Sequence, residues 1–126
     1  MSAVIDASAL LALLQEEAGG ERVAEALSDA IISTVNVSEV VAKLCDKGFE
    51  PDEARETVEL LPLNAIDFDL PQAMEAGMLR SGTRSQGLSL ADRACLALAA
   101  RSGGVALTTD RAWSQLDVGI EVELVR

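Results

Sequence analysis

Short apolar runs and longer stretches of helical period alternate along the chain. Residues 2–5 form an apolar run that stops at Asp6, and after Ser8 an apolar block covers residues 9–14. That is the pattern of a buried strand, a tight turn and a helix. Gly19 and Gly20 interrupt, after which Val23, Leu27 and Ala30 recur as they would on a second helix. Residues 31–35 read as a strand. Asn36 opens a helix whose Val37, Val40, Val41, Leu44 and Cys45 make one buried face. Gly48 ends it, and Pro51 starts another over residues 51–61, with Ala54, Val58 and Leu61 inward. A strand at 63–66, a helix at 71–79 and a loop at 80–87 follow. The remainder predicts a helix over 89–101, a Gly103-Gly104 break, a strand at 105–107, a short helix at 111–116 and a last strand at 120–124.

Strands separated by helices require crossover connections, so the sheet is expected to be mainly parallel with helices on both faces. The fold class is α/β: a three-layer α/β/α arrangement around about four to five strands, in one domain over residues 1–126. A chain of this length buries roughly two-thirds of its unfolded surface. In such folds the ligand site lies outside the carboxyl ends of the strands. Asp6 and Asp110 directly follow two predicted strands, and Glu39 and Asp92 fall in the first turns of helices that start near the same edge.

Composition narrows the chemistry. Hydrophobic content of 49% with 25% charged residues is ordinary for a globular protein. No basic leader precedes the first apolar run, and no stretch reaches the ~18 apolar residues of a membrane span. The expectation is a cytoplasmic protein without membrane contact, with Cys45 and Cys95 as core residues. The chain has no histidine and no tyrosine, so most hydrolytic chemistries lack their parts. Its net charge of −11 repels phosphate backbones. A bound divalent cation and nearby arginines could reverse that locally.

Each of the four carboxylates has a local structural explanation. Asp6 and Asp110 could cap helices. Asn36 with Glu39, and Ser89 with Asp92, have capping-box spacing, and Glu39 could also pair with Lys43 at i+4. The joint case is stronger. The helix over 90–100 is apolar nearly all round, its only charges being Asp92 and Arg93, so a carboxylate there needs a helix terminus, an arginine or a metal. Asp92 is therefore the strongest candidate and Glu39 the weakest. Four gathered carboxylates would raise at least one pKa unless a cation intervenes. An all-oxygen site suits Mg²⁺ or Mn²⁺, whereas zinc recruits His or Cys.

Four segments carry a resemblance: Val-Ile-Asp-Ala-Ser at 4–8, Asn-Val-Ser-Glu at 36–39, Leu-Ser-Leu-Ala-Asp-Arg-Ala-Cys-Leu-Ala-Leu-Ala-Ala at 88–100, and Ala-Leu-Thr-Thr-Asp-Arg-Ala-Trp at 106–113. In this order they resemble the PIN domain, and within it the VapC-type toxins of bacterial toxin–antitoxin pairs, from Ala3 to Leu116. The resemblance implies a Mg²⁺- or Mn²⁺-dependent endoribonuclease whose acidic residues are Asp6, Glu39, Asp92 and Asp110. It further implies 5′-phosphate and 3′-hydroxyl products, a homodimer, and a VapB-type antitoxin that occupies the active-site groove. Ser8 and Thr109 stand where the family often carries accessory hydroxyls, although ordinary turn hydrogen bonds would equally explain them.

Metal-assisted hydrolysis of RNA phosphodiesters is then the expected reaction. Asp6 and Asp92 are first choice as direct ligands, with Glu39 and Asp110 binding directly, through water, or to a second ion. Arg80, Arg84, Arg93 and Arg111 are the candidates for substrate phosphates, Arg93 being equally well a counter-ion of the cluster. Trp113 is expected to pack, and 2% aromatics argue against a stacking platform for single strands. Three other readings compete: a PIN nuclease with an RNA-processing role, a degenerate PIN fold used only for binding, and a phosphatase. Asp6-Ala7-Ser8 lacks the second Asp that a phosphatase would need, and the presence of all four acids disfavours the degenerate fold.

Overall fold

A computed structural model describes residues 2–126. The elements run β1 (Val4–Ile5), α1 (Ala7–Leu14), α2 (Gly20–Ala26), β2 (Ile32–Ser33), α3 (Thr34–Asp46), α4 (Pro51–Glu59), β3 (Ala65–Ile66), α5 (Leu70–Thr83), α6 (Leu90–Ser102), β4 (Ala106–Thr108) and β5 (Val122–Leu124). Two 3₁₀ turns, Arg84–Gln86 and Arg111–Gln115, precede α6 and β5.

Every strand pairing is parallel: β1 with β4, β4 with β5, and β2 with β3. The two groups of strands join through a bridge between Val4 and Ile31, where Ile5 N donates to Ile31 O at 2.9 Å. The strands therefore lie in the order β3-β2-β1-β4-β5. From β1 the chain winds first to one side and later returns to the other, so the order reverses between β1 and β4. A crevice opens at that point, outside the carboxyl ends of the two strands.

Strand alternation builds the three layers, because successive side chains point to opposite faces. Ile5 and Leu107 join one core with Leu10 of α1, Val23 of α2, Val40 and Leu44 of α3, and Val58 of α4. Val4 and Ala106, their neighbours in sequence, join the other with Cys95 and Leu96 of α6 and with Trp113. The three-layer, mainly parallel α/β expectation holds, and Trp113 packs in the core, 1% exposed. Cys95 is buried too, while Cys45 packs half-buried against the first core. Among the described residues, no helix is long and apolar enough to cross a membrane.

Three local expectations are corrected. The strand expected over 31–35 ends at Ser33, whose Oγ accepts from Val35 N and caps α3 from Thr34 onward. Asn36 is thus inside the helix and does not cap it. Helix α5 continues past residue 79 to Thr83, whose buried hydroxyl donates back to the Leu79 carbonyl at 2.7 Å. Arg80 consequently lies in a helix and not in the expected loop. Helix α1 begins at Ala7, directly after Asp6. The Gly103-Gly104 break does occur: Gly103 caps α6 at φ +71°, and a Cβ on Gly104 would collide with the Ser2 carbonyl.

Candidate functional site

Asp6 leaves β1 at the crevice and becomes the N-cap of α1. Its Oδ1 accepts from Ala9 N at 2.8 Å and from Ser8 Oγ at 2.7 Å, and its Oδ2 accepts from Thr108 Oγ1 at 2.6 Å. The two hydroxyls are placed alike. Ser8 Oγ also accepts from Thr109 N at 3.0 Å, and Thr108 Oγ1 from Asp110 N at 3.0 Å. Each hydroxyl therefore takes a backbone N–H from the exit of β4 and hands its own proton to the carboxylate. Asp6 is 4% exposed. Burial pushes its pKa up to about 6, against the pull of the Thr108, Ala9 and Ser8 bonds, and the neighbouring Asp92 charge adds to the rise.

The other three acids reach the same place from separate elements. Asp110 caps the 3₁₀ turn after β4, its Oδ1 accepting from Ala112 N at 3.0 Å. Asp92 forms the expected capping box: Ser89 N donates to Asp92 Oδ2 at 2.9 Å and Asp92 N donates to Ser89 Oγ at 3.1 Å. Glu39 rises from α3, free of both of its local explanations. The Asn36–Glu39 capping box does not form, and among the described residues Glu39 has no ion pair with Lys43. Partial burial raises the Glu39 pKa, Asp92 raises it further, and Lys43 lowers it.

All four carboxylates line one cavity of about 230 Å³, together with Ala7, Ser8, Leu11 and Lys43. The capping roles and the shared cavity coexist, so neither reading of these residues excludes the other. As placed, no three His, Cys, Asp or Glu side chains among the described residues stand closely enough to hold a metal ion. In chemistry the donor set fits a hard divalent cation: four carboxylates, two of them with pKa values raised by burial and by Asp92.

The expected arginines do not line this cavity. Arg93 Nη1 donates to the Ala76 carbonyl of α5 at 3.0 Å, so as placed the guanidinium serves the α5–α6 contact. Arg80, Arg84 and Arg111 are exposed and are not among the residues lining the cavity. Among the accessory hydroxyls, Ser8 is where it was expected, whereas the partner of Asp6 is Thr108 and not Thr109, of which only the backbone takes part. The structure gives two further residues a place at the site other than the one their sequence spacing suggested. Among the described residues, Lys43 is the one cation lining the cavity. Asn36, 1% exposed, ties α3 to the first turn of α6 by donating Nδ2–H to the Ala91 carbonyl at 2.8 Å. Strand alternation was the available signal for Thr108, and the i+4 spacing from Glu39 for Lys43.

Comparison with known proteins agrees with this geometry. Three solved structures are similar over almost the whole chain. VapBC from Salmonella typhimurium, bound to DNA, has 21% identity and a TM-score of 0.75 over 98% of this chain and 97% of that one. A toxin–antitoxin complex from Klebsiella pneumoniae has 22% identity and a TM-score of 0.76 over 99% and 98%. VapBC-1 from nontypeable Haemophilus influenzae has 16% identity and a TM-score of 0.74 over 99% and 98%. At these identities the likeness establishes the fold. No curated protein sequence matches significantly. The sequence profile described as the PIN domain matches residues 3–119, a span that contains all four carboxylates and both strands of the crevice, and the chain therefore belongs to the PIN domain family.

Proposed function

We propose that this protein is the toxin of a toxin–antitoxin pair and acts as a Mg²⁺- or Mn²⁺-dependent endoribonuclease. PIN domains are generally nucleases that depend on divalent metals. The observation that carries the reading is the convergence of Asp6, Glu39, Asp92 and Asp110 from four elements on one cavity at the reversal of strand order. Among the structures similar in fold are a toxin–antitoxin complex and a member of a family of toxin–antitoxin systems, which favours the toxin role over an RNA-processing one.

Asp6 and Asp92 would hold the cation directly, with Glu39 and Asp110 completing the set. When bound, it supplies activation of water and neutralisation of charge on the phosphate oxygens. The chain's own work is positioning. Ser8, Thr108 and the Ala9 amide fix both oxygens of Asp6 before any ligand arrives. Asn36 sets the distance between the helices that carry Glu39 and Asp92. Leu11 and Ala7 close one wall with apolar surface. The acidic cluster repels RNA while it lacks a counter-charge, so substrate binding depends on the cation.

A cognate VapB-type antitoxin would hold the enzyme inactive by occupying this cavity. A homodimer is supported by an apolar stripe on α5, where Leu70, Met74 and Met78 follow at i, i+4 and i+8 and are 72%, 63% and 70% exposed.

The test is incubation of the purified, antitoxin-free protein with total cellular RNA in Mg²⁺, Mn²⁺ or EDTA. Discrete fragments in either metal, absent in EDTA and absent with Asp92→Asn, are expected. Cleavage that survives chelation, or intact RNA in both metals, would refute the assignment.

A further inference from the structure

Three cations of this chain are held in ion pairs among the described residues. Arg22 pairs with Glu25 and Glu123, Arg55 with Asp52 and Glu59, and Arg101 with Glu75. Lys43 has no such partner among the described residues, although it lines a cavity with four carboxylates. Its influence there is electrostatic, through space: it lowers the pKa of Glu39 without touching it. Four residues along α3 from Glu39, its Cα lies about 6 Å from that of Glu39 along the helix axis. That is comparable to the step between neighbouring phosphates of an extended strand. The guanidinium of Arg93 is engaged with α5, and Arg80, Arg84 and Arg111 lie outside the cavity wall. Among the described residues, Lys43 is thus the cation that lines the cavity itself.

We infer that Lys43 is the substrate-contacting cation of this site, and that its ammonium binds an RNA phosphate next to the scissile one. The inference rests on the nuclease reading and adds to it a residue and a role. A flexible ammonium suits the task, since it neutralises a phosphate as a point charge without dictating sequence. It also keeps one positive charge at the cavity mouth of a chain whose net charge is −11.

The experiment uses the full chain with all four carboxylates intact and RNA with phosphorothioate linkages, which resist cleavage, because Asp92→Asn would also remove the cation on which RNA binding depends. Binding of fluorescently labelled, random-sequence single-stranded RNA is followed by anisotropy across a KCl series at fixed low Mg²⁺, with Lys43 or with Lys43→Gln. Expected are weaker binding by Lys43→Gln and a shallower slope of log affinity against log salt, by at most about 0.7, the loss of one single-strand phosphate contact. Lys43→Arg should restore the slope. On unmodified RNA, Lys43→Gln should raise KM and leave kcat, the mark of lost uniform binding. An unchanged slope, whether or not Lys43→Gln shifts the melting temperature of the free protein, overturns the role and leaves Lys43 a counter-charge for Glu39. No RNA binding with Lys43 intact overturns the nuclease reading as well, so the two failures are distinguishable.

Discussion

Thr108 and Asp6 meet across the seam between β4 and β1, the Thr108 hydroxyl donating to Asp6 Oδ2 at 2.6 Å with both side chains buried. The same oxygen of Thr108 accepts from the Asp110 amide at 3.0 Å. One side chain therefore couples the first acid of the chain to the last. It can donate in only one direction, because an ionised Asp6 only accepts.

Replacing Thr108 by Val keeps the shape and removes both bonds. A buried carboxylate oxygen and a backbone N–H then lose their partner, which costs about 1–3 kcal/mol. Urea unfolding of Thr108→Val at neutral pH should show that loss, and Thr108→Ser should regain most of it. Equal midpoints for Val and the wild type would mean that water takes over both bonds.

Burial of Asp6 also predicts the pH dependence of the metal-free protein. In the unfolded chain its carboxyl titrates near 3.8 and in the folded protein at about 6. Between those values the native state holds a proton that the unfolded state has released, so the native state loses stability as pH rises. The contribution is fully present below pH 3.8 and gone above about pH 6. A shift of this size corresponds to about 3 kcal/mol. Denaturant unfolding in EDTA across pH 4 to 7 should therefore fall more steeply for the wild type than for Asp6→Asn. Parallel profiles would show that Asp6 is not the group responsible.

Asp6 and Asp110 could be read from the sequence because each follows a strand, and Asp92 because it falls in the first turn of a mainly apolar helix; Glu39 lies in the second turn of α3 and was the least legible of the four. What escaped depends on contacts distant in the chain. Ser33 and Asn36 are equally good caps for α3 by residue type. The choice is made by where β2 stops pairing with β3, at Ser33 opposite Ile66. Thr108 and Thr109 likewise differ only in which one the parallel register with β1 turns toward Asp6. Arg93 is a different case: adjacent helical residues diverge by about 100°, so sequence adjacency to Asp92 never placed it beside that carboxylate.

Asn36 should matter to both stability and metal affinity, for one geometric reason. Its amide bridges α3 to Ala91, next to Asp92, and so sets the spacing of Glu39 from Asp92. Asn36→Ala is expected to cost about 1 kcal/mol for the buried hydrogen bond, and to shrink the rise in melting temperature that Mn²⁺ produces. The two effects separate in scans with and without Mn²⁺. A lower melting temperature with an undiminished Mn²⁺ response would make Asn36 a core residue only.

Surface pairing through α5 can be checked with charge. Met74→Glu together with Met78→Glu places two carboxylates on the exposed stripe while leaving buried Gln72, Ala76 and Thr83 untouched. Light scattering should report a dimer for the wild type and a monomer for the double variant, with unchanged circular dichroism. A wild-type monomer would remove the homodimer from the proposal.

Asp92→Asn separates the cap from the charge. The Ser89 amide donates to Asp92 Oδ2, and the carbonyl oxygen of an asparagine can accept that bond, so the start of α6 should survive. The negative charge that raises the pKa values of both Asp6 and Glu39 disappears. The metal-free variant should therefore be as stable as the wild type or slightly more stable, while cleavage and the stabilisation by Mg²⁺ are both lost. Asp92→Ala removes the cap as well and should cost about 1 kcal/mol relative to Asn. If Asn and Ala were equally destabilised in EDTA, the role of Asp92 in the fold would outweigh its share in the cluster. If Asn kept the response to Mg²⁺, the cation would be held without it.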